Sequence, residues 1–205
     1  MPRIAAATTP ALMQVNATMD AIDKDGKDQR HQNKTFTRAV TVMMAGPGYL
    51  SVMLSDNWEG GAYPAVLVHV VVLDLSTGQT VDWTKLVKGA GVKNYSDSGA
   101  DGKMGQPQAL IYPALLAMYL KDPGTDSTGD CKDAYQDPQS FMIYPDAKSG
   151  KLDVSAFDLP HVVQACANDV MLTPEQAKKL GFDQGLLDAL AAAHAQPGSD
   201  KLGMQ

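Results

Sequence analysis

One stretch constrains this chain more than any other. Trp58-Glu59-Gly60-Gly61-Ala62-Tyr63-Pro64 is followed by the apolar run Val66 to Leu73, and then by Asp74-Leu75-Ser76-Thr77-Gly78-Gln79-Thr80-Val81-Asp82-Trp83. A double glycine opens a run rich in β-branched residues, and a D-L-x-T-G turn closes it. That arrangement specifies a β-hairpin, because glycine supplies backbone conformations closed to other residues and branched side chains suit a pleated surface. The run is apolar on both faces apart from His69, which predicts a central strand. The turn at Ser76-Thr77-Gly78 predicts a second strand from Gln79 to Trp83.

The flanking sequence extends the β pattern and adds helices. Phe36, Val40, Val42 and Met44 alternate with Thr35, Thr37, Ala39 and Thr41, and Leu50, Val52 and Leu54 alternate with Ser51, Met53 and Ser55. Gly46-Pro47-Gly48 turns between them, so the pair reads as a hairpin with one buried face. Thr9-Pro10 begins a helix over roughly residues 10–24, with Leu12, Val15, Met19 and Ile22 at helical spacing. The polar run Asp23 to Lys34 reads as a solvated loop; its D-x-D-G spacing does not fit an EF-hand, because the glycine comes too early and no terminal glutamate follows.

Residues 88–107, rich in Gly, Ser and Asp, predict a surface loop that holds Asp97 and Asp101. Residues 108–121 are helical in pattern, with the helix starting or kinking at Pro113; Leu110, Leu115, Met118 and Tyr119 are its core candidates. Asp122 to Asp130 reads as another loop. Phe141 to Tyr144 and Leu152 to Phe157 flank a turn with Gly150 in a left-handed position. Thr173-Pro174-Glu175-Gln176 has the spacing of a capping box, with its helix stopping near Gly181. Phe182 to Ala193 supplies the last helix. The expected fold is α+β: antiparallel β meander and hairpins packed against N-terminal, middle and C-terminal helices. Residues 1–9 are expected as a flexible N-terminus, 10–193 as one domain and 194–205 as a polar tail.

Composition bounds the function classes. The 205 residues are 44% hydrophobic and 20% charged, which is a globular balance. The net charge of −6, with few arginines, argues against nucleic acid as a partner and favours attraction of a basic one. No apolar run approaches the length of a transmembrane segment. The start, Met1-Pro2-Arg3, lacks the apolar core of a signal peptide and reads as a mature N-terminus behind an initiator methionine, although a cytoplasmic protein with an Ala/Thr-rich start would look the same. Cys131 and Cys166 are the two cysteines. Composition leaves two options open: one staple, closing a loop of about 36 residues and supplying about 4 kcal/mol at most, or two unrelated thiols.

The hairpin block, W-E-G-G-A-Y-P followed by D-L-S-T-G-Q-T-V-D-W, resembles the α+β domain that forms the extracellular part of RsiV-type anti-sigma factors and occurs in many envelope proteins. The family pattern reads roughly G-G-A-H, and Tyr63 stands here where histidine is common. Element order agrees from about residue 10 to residue 190, including F-x-I-Y at Phe141 to Tyr144 and a short segment, Leu159 to Cys166, before the last strand and helix. The resemblance implies a periplasmic or secreted binding module and a Cys131–Cys166 disulfide. In the RsiV branch the partner is lysozyme. It therefore implies, for this chain, a lysozyme-type muramidase or cell-wall glycan as partner, with no cofactor and no metal. Neither a sigma-binding segment nor a transmembrane segment is expected within these 205 residues.

Candidate binding residues gather at the first turn: Trp58, Glu59, Gly60, Gly61 and Tyr63. Aromatic side chains beside a rigid turn suit a sugar or protein contact, although core packing also explains Trp58 and Tyr63. Gly60 and Gly61 serve backbone geometry first, and Trp83 reads as core. Asp56, Glu59, Asp74 and Asp82 offer carboxylates for an alternative reading, a cell-wall hydrolase, although turn and edge roles account for them too. His161, five residues before Cys166, would form a nucleophile pair only if that thiol were free. His69 reads as a core or interface histidine, without neighbours spaced to bind zinc. No catalytic residue stands out. A third reading is a structural or assembly factor of the envelope.

Overall fold

In the computed structural model the described residues are 10–32, 35–59, 65–95, 109–122, 125, 131, 133–135, 139–157, 159 and 161–196. Among them the fold is α+β, as expected, with two antiparallel sheets. Helix α1 spans Pro10–Gln32 and buries Val15, Met19, Ile22 and Gly26 along one stripe. It therefore continues through the polar run expected to be a loop. Two kinds of contact keep it helical there. Lys27 pairs with Asp23 one turn earlier at 2.7 Å. Gly26 lies flush against Arg38, where a Cβ would sit 3.2 Å from Arg38 Cδ.

The first hairpin forms as expected. Strand β1 (Phe36–Ala45) pairs with β2 (Tyr49–Trp58), and Gly48 turns the chain at φ 87°. The expectation that Met44 shares a face with Val40 and Val42 is corrected by a bulge. Val42 opposes Val52, but Met44 opposes Ser51. A one-residue slip moves a side chain to the other face, and Met44 packs in a different core from Val42.

Strand β3 (Ala65–Asp74) pairs with β2, and the sheet order is β1-β2-β3. The run expected to be central is thus an edge strand. Its two apolar faces report cover on both sides, not pairing on both sides: Val71 and Leu73 join the cluster under α1, while Val70 and Val72 join the larger core. Asp74 shapes the following turn, its Oδ1 accepting hydrogen bonds from Ser76 N at 2.7 Å and Ser76 Oγ at 2.6 Å. Gly78, at φ 74°, lets the turn press on α1; a Cβ would lie 2.3 Å from the Ala11 carbonyl oxygen. The strand expected from Gln79 to Trp83 shrinks to one bridge, Leu73 to Thr80. Asp82 ends it by capping the short helix α2 (Trp83–Leu86) through Thr84 N. Trp83 is buried, as expected.

The second sheet has the order β4-β5-β6-β7-β8: Lys93–Tyr95, Ala109–Ile111, Ser140–Asp146, Lys151–Phe157 and Asp169–Leu172. Residues 96–108, with Asp97 and Asp101, lie outside the described residues. Helix α3 (Pro113–Tyr119) starts at Pro113, and the three residues Ala109–Ile111 of the expected helix are strand instead. The β6–β7 hairpin turns through Gly150 at φ 70°. A 3-10 helix, His161–Cys166, precedes β8. Helix α4 (Pro174–Lys179) has the full capping box of Thr173 and Gln176, and Asp183 caps α5 (Gln184–His194).

The core divides in two. Val15, Met19 and Ile22 of α1 meet Leu50, Val52, Leu54, Val71 and Leu73 on one face of the three-stranded sheet. From the other face, Met44, Val70 and Val72 enter a larger cluster with Phe141, Ile143, Leu152 and Val154 of the second sheet and Leu186 and Leu190 of α5. Cys131 and Cys166 form a disulfide. Beside it the Tyr135 hydroxyl donates to the Cys166 carbonyl at 2.5 Å, and Tyr119 donates to the Asn168 carbonyl at 2.5 Å.

Candidate functional site

The free end of the β1–β2 hairpin is built in rows across the sheet. Phe36 opposes Trp58, Arg38 opposes Asp56, and Val40 opposes Leu54. Side chains two residues apart share a face, so the first row stands on the second. The Phe36 and Trp58 rings lie 5.2 Å apart, tilted by 60°. The Arg38 guanidinium sits 5.6 Å from the centre of the Phe36 ring. Trp58 is half-buried and Glu59 is exposed. The Thr35 hydroxyl donates to the Glu59 carbonyl, tying the two strand ends. Gly60, Gly61 and Tyr63 lie outside the described residues.

Arg38 supports this end from below. It donates to both Asp56 oxygens, Nε to Oδ1 at 2.6 Å and Nη2 to Oδ2 at 2.5 Å. Nη1 reaches α1, donating to Asp25 Oδ2 at 3.0 Å and to the Ile22 carbonyl at 3.1 Å. The Arg38 and Asp56 side chains are only 6% and 3% exposed. A two-pronged guanidinium–carboxylate pair fixes orientation as well as charge. The bonds to Asp56 raise the Arg38 pKa above its ordinary value. His69, opposite Leu54, is half-buried; burial lowers its pKa, and Arg38 adds to that while Asp56 and Asp25 oppose it.

Three of the four carboxylates proposed for hydrolysis hold the backbone or a partner. Asp56 grips Arg38, Asp74 shapes its turn, and Asp82 caps α2. The Thr84 hydroxyl and the Asn94 amide both donate to Asp82 and hold its pKa down at about 2. An acid so low in pKa is a poor proton donor at neutral pH. Glu59 alone stays exposed. Cys166 is spent in the disulfide, so no thiolate stands beside His161. Among the described residues, no group of three or more His, Cys, Asp or Glu is placed to hold a metal ion.

The sequence matches no protein-family model and no curated protein. Among the solved structures to which it is similar is the crystal structure of a member of the DUF3298 family from Bacteroides fragilis, at 13% identity and a TM-score of 0.40, covering 90% of this chain and 74% of that one.

Two features were not singled out in the sequence. Arg38 was readable in principle: it falls in phase with Phe36, Val40 and Val42, and Asp56 falls in phase with Leu50, Val52 and Leu54. Opposite charges in the buried phase of a hairpin announce a pair. Asp153 was less readable, because its neighbours Lys151 and Ser155 give that face of β7 a solvated look. It opposes Tyr144 and is 3% exposed. Its Oδ1 lacks a hydrogen-bond partner. Burial, then Asp146 and Asp169, push its pKa up from 3.8 to about 7, against the bond from Tyr144 and the charge of Lys151. The folded state therefore holds an extra proton between about pH 4 and 7, and stability falls as pH rises through that window. Asp153→Asn is expected to flatten this fall and to be more stable than the parent at pH 8. Urea midpoints measured at pH 5 and pH 8 check it; equal pH dependence of the two proteins would contradict it.

An open cleft of about 640 Å³ lies between the start of α1 and the Ser76–Gln79 turn, lined by Pro10, Gln14, Leu75, Ser76, Thr77 and Gln79 among others. Among the described residues no titratable side chain lines it, and Gln14, Ser76, Thr77 and Gln79 offer it hydrogen bonds.

Proposed function

We propose that this chain is an extracytoplasmic binding module that engages a lysozyme-type muramidase through the free end of its first hairpin. The single observation that carries the reading is the support under Trp58. A half-buried indole packs at a tilt against Phe36, whose ring lies under the guanidinium of a clamped Arg38, beside an exposed acidic Glu59. A rigid aromatic anchor loses little entropy on binding, and such residues dominate interface energetics. The net charge of −6 supports fast encounter with a basic protein. The resemblance of the W-E-G-G block to RsiV-type ectodomains and the disulfide both fit a periplasmic or secreted location.

Calorimetric titration with a chicken-type lysozyme at low salt tests it. Binding is expected, weakening as salt screens the charges. Trp58→Ala is expected to cost at least about tenfold in affinity, a loss typical of an interface anchor. Absence of heat at high concentration and low salt would remove the muramidase from the reading. Binding of soluble peptidoglycan fragments in its place would redirect it to the glycan.

A further inference from the structure

The first sheet treats its two edges differently. On β1 a bulge interrupts the strand between Val42 and Met44, Arg38 carries a charge, and the Met43 carbonyl already accepts from Ala147 N at 2.9 Å. Bulges, charges and covering contacts are how soluble proteins keep an edge from pairing with another chain. Among the described residues none of these devices occurs on β3 from Ala65 to Val71, whose sequence is A-V-L-V-H-V-V.

The direction of the free backbone groups follows from the ladder. Val72 accepts from Val81 N, and Asp74 donates to the Gln79 carbonyl, both on the side away from β2. In an antiparallel pair, alternate residues point both backbone groups to the same side. Val66, Val68 and Val70 therefore direct N–H and C=O outward, and no described residue bonds to them there. Val66 and Leu67 are 62% and 40% exposed, unusual for large apolar side chains on one strand.

We propose that two copies of this chain associate by antiparallel pairing of β3 with β3 of the second copy, centred on Val68. The free stretch is limited at one end by the Val72–Val81 bond and at the other by the start of the strand. Val68 is the midpoint of residues 65–71, so a two-fold axis there uses every free group. It sets Val66 opposite Val70 of the second copy and Leu67 opposite His69, covering both exposed side chains. No residue of the stretch is an acid, lysine or arginine, so self-pairing places no such like charges opposite each other. The contact is isologous and consumes the free stretch of β3 in both copies, so pairing through this edge stops at a dimer. The product is a six-stranded sheet with the two Trp58 ends at opposite extremes, both open. The inference stands apart from the muramidase reading.

Sedimentation velocity on the protein alone, from about 1 to about 300 µM, covers the range expected for a small interface. A concentration-dependent shift from monomer to dimer is expected. Val68→Pro removes an outward N–H and leaves the β2 ladder its bonds, so this variant is expected to stay monomeric with parental circular dichroism. Val66→Lys adds an edge charge at an exposed position and is expected to weaken the dimer at least tenfold; it decides the matter if the proline variant misfolds. A parent that stays monomeric throughout, or a dimer that survives an edge variant that folds, overturns the proposal.

Discussion

Asp56→Ala is expected to lower the free energy of unfolding by about 3–5 kcal/mol, the range for stripping one partner from a buried ion pair. The reason is what is left behind. Arg38 Nε and Nη2 lose their acceptors, and Asp25 supplies one oxygen to Nη1 only. The guanidinium remains in a site where it is 6% exposed. Urea denaturation gives the value directly, with an unchanged slope expected if the unfolded state is unaffected. Arg38→Met combined with Asp56→Leu is expected to recover most of the loss, because paired apolar residues of similar volume carry no desolvation penalty. A single variant within 1 kcal/mol of the parent would mean that water reaches the pair freely.

Replacing both Cys131 and Cys166 by serine is expected to cost about 4 kcal/mol, the chain-entropy guide for a loop of this length. The link joins residues 35 positions apart, and that loop includes the β6–β7 hairpin and the 3-10 helix His161–Cys166. The unfolded chain regains the freedom of the whole loop once the link is gone. The Tyr135–Cys166 and Tyr119–Asn168 bonds beside it then depend on packing alone. Thermal unfolding should fall by roughly 10 °C, given the usual conversion for a chain of this size. A midpoint unmoved by the double substitution would show that the loop is ordered even in the unfolded ensemble.

What was legible in the sequence was mostly local. The Gly46-Pro47-Gly48 turn, the Gly150 turn, the Thr173 capping box and the helix start at Pro113 are each decided by a few adjacent residues. What escaped was decided across the fold. The Asp23 to Lys34 run looks like a loop until Arg38 arrives from β1 to hold Asp25 and the Ile22 carbonyl. Val66 to Leu73 looks central because helix and second sheet cover its two faces, a fact about neighbours and not about pairing. Met44 changed faces because a bulge has no signature in hydrophobic alternation. Of the candidate site, Trp58 and Glu59 are singled out by turn chemistry alone. The Arg38–Asp56 clamp that stiffens them needed the register of the hairpin, and Asp153 needed the knowledge that its face of the sheet is covered.

The partition of apolar side chains also ranks how the molecule comes apart. Val15, Met19 and Ile22 belong to the small cluster on one face of the three-stranded sheet, while the five-stranded sheet and α5 share the larger one. Helix α1 can therefore lift away with the loss of that small cluster and of the Arg38 bonds to Asp25 and the Ile22 carbonyl, leaving the rest folded. Its amides will exchange with solvent through this partial opening, well before those of β6 and β7, which need the whole chain to unravel.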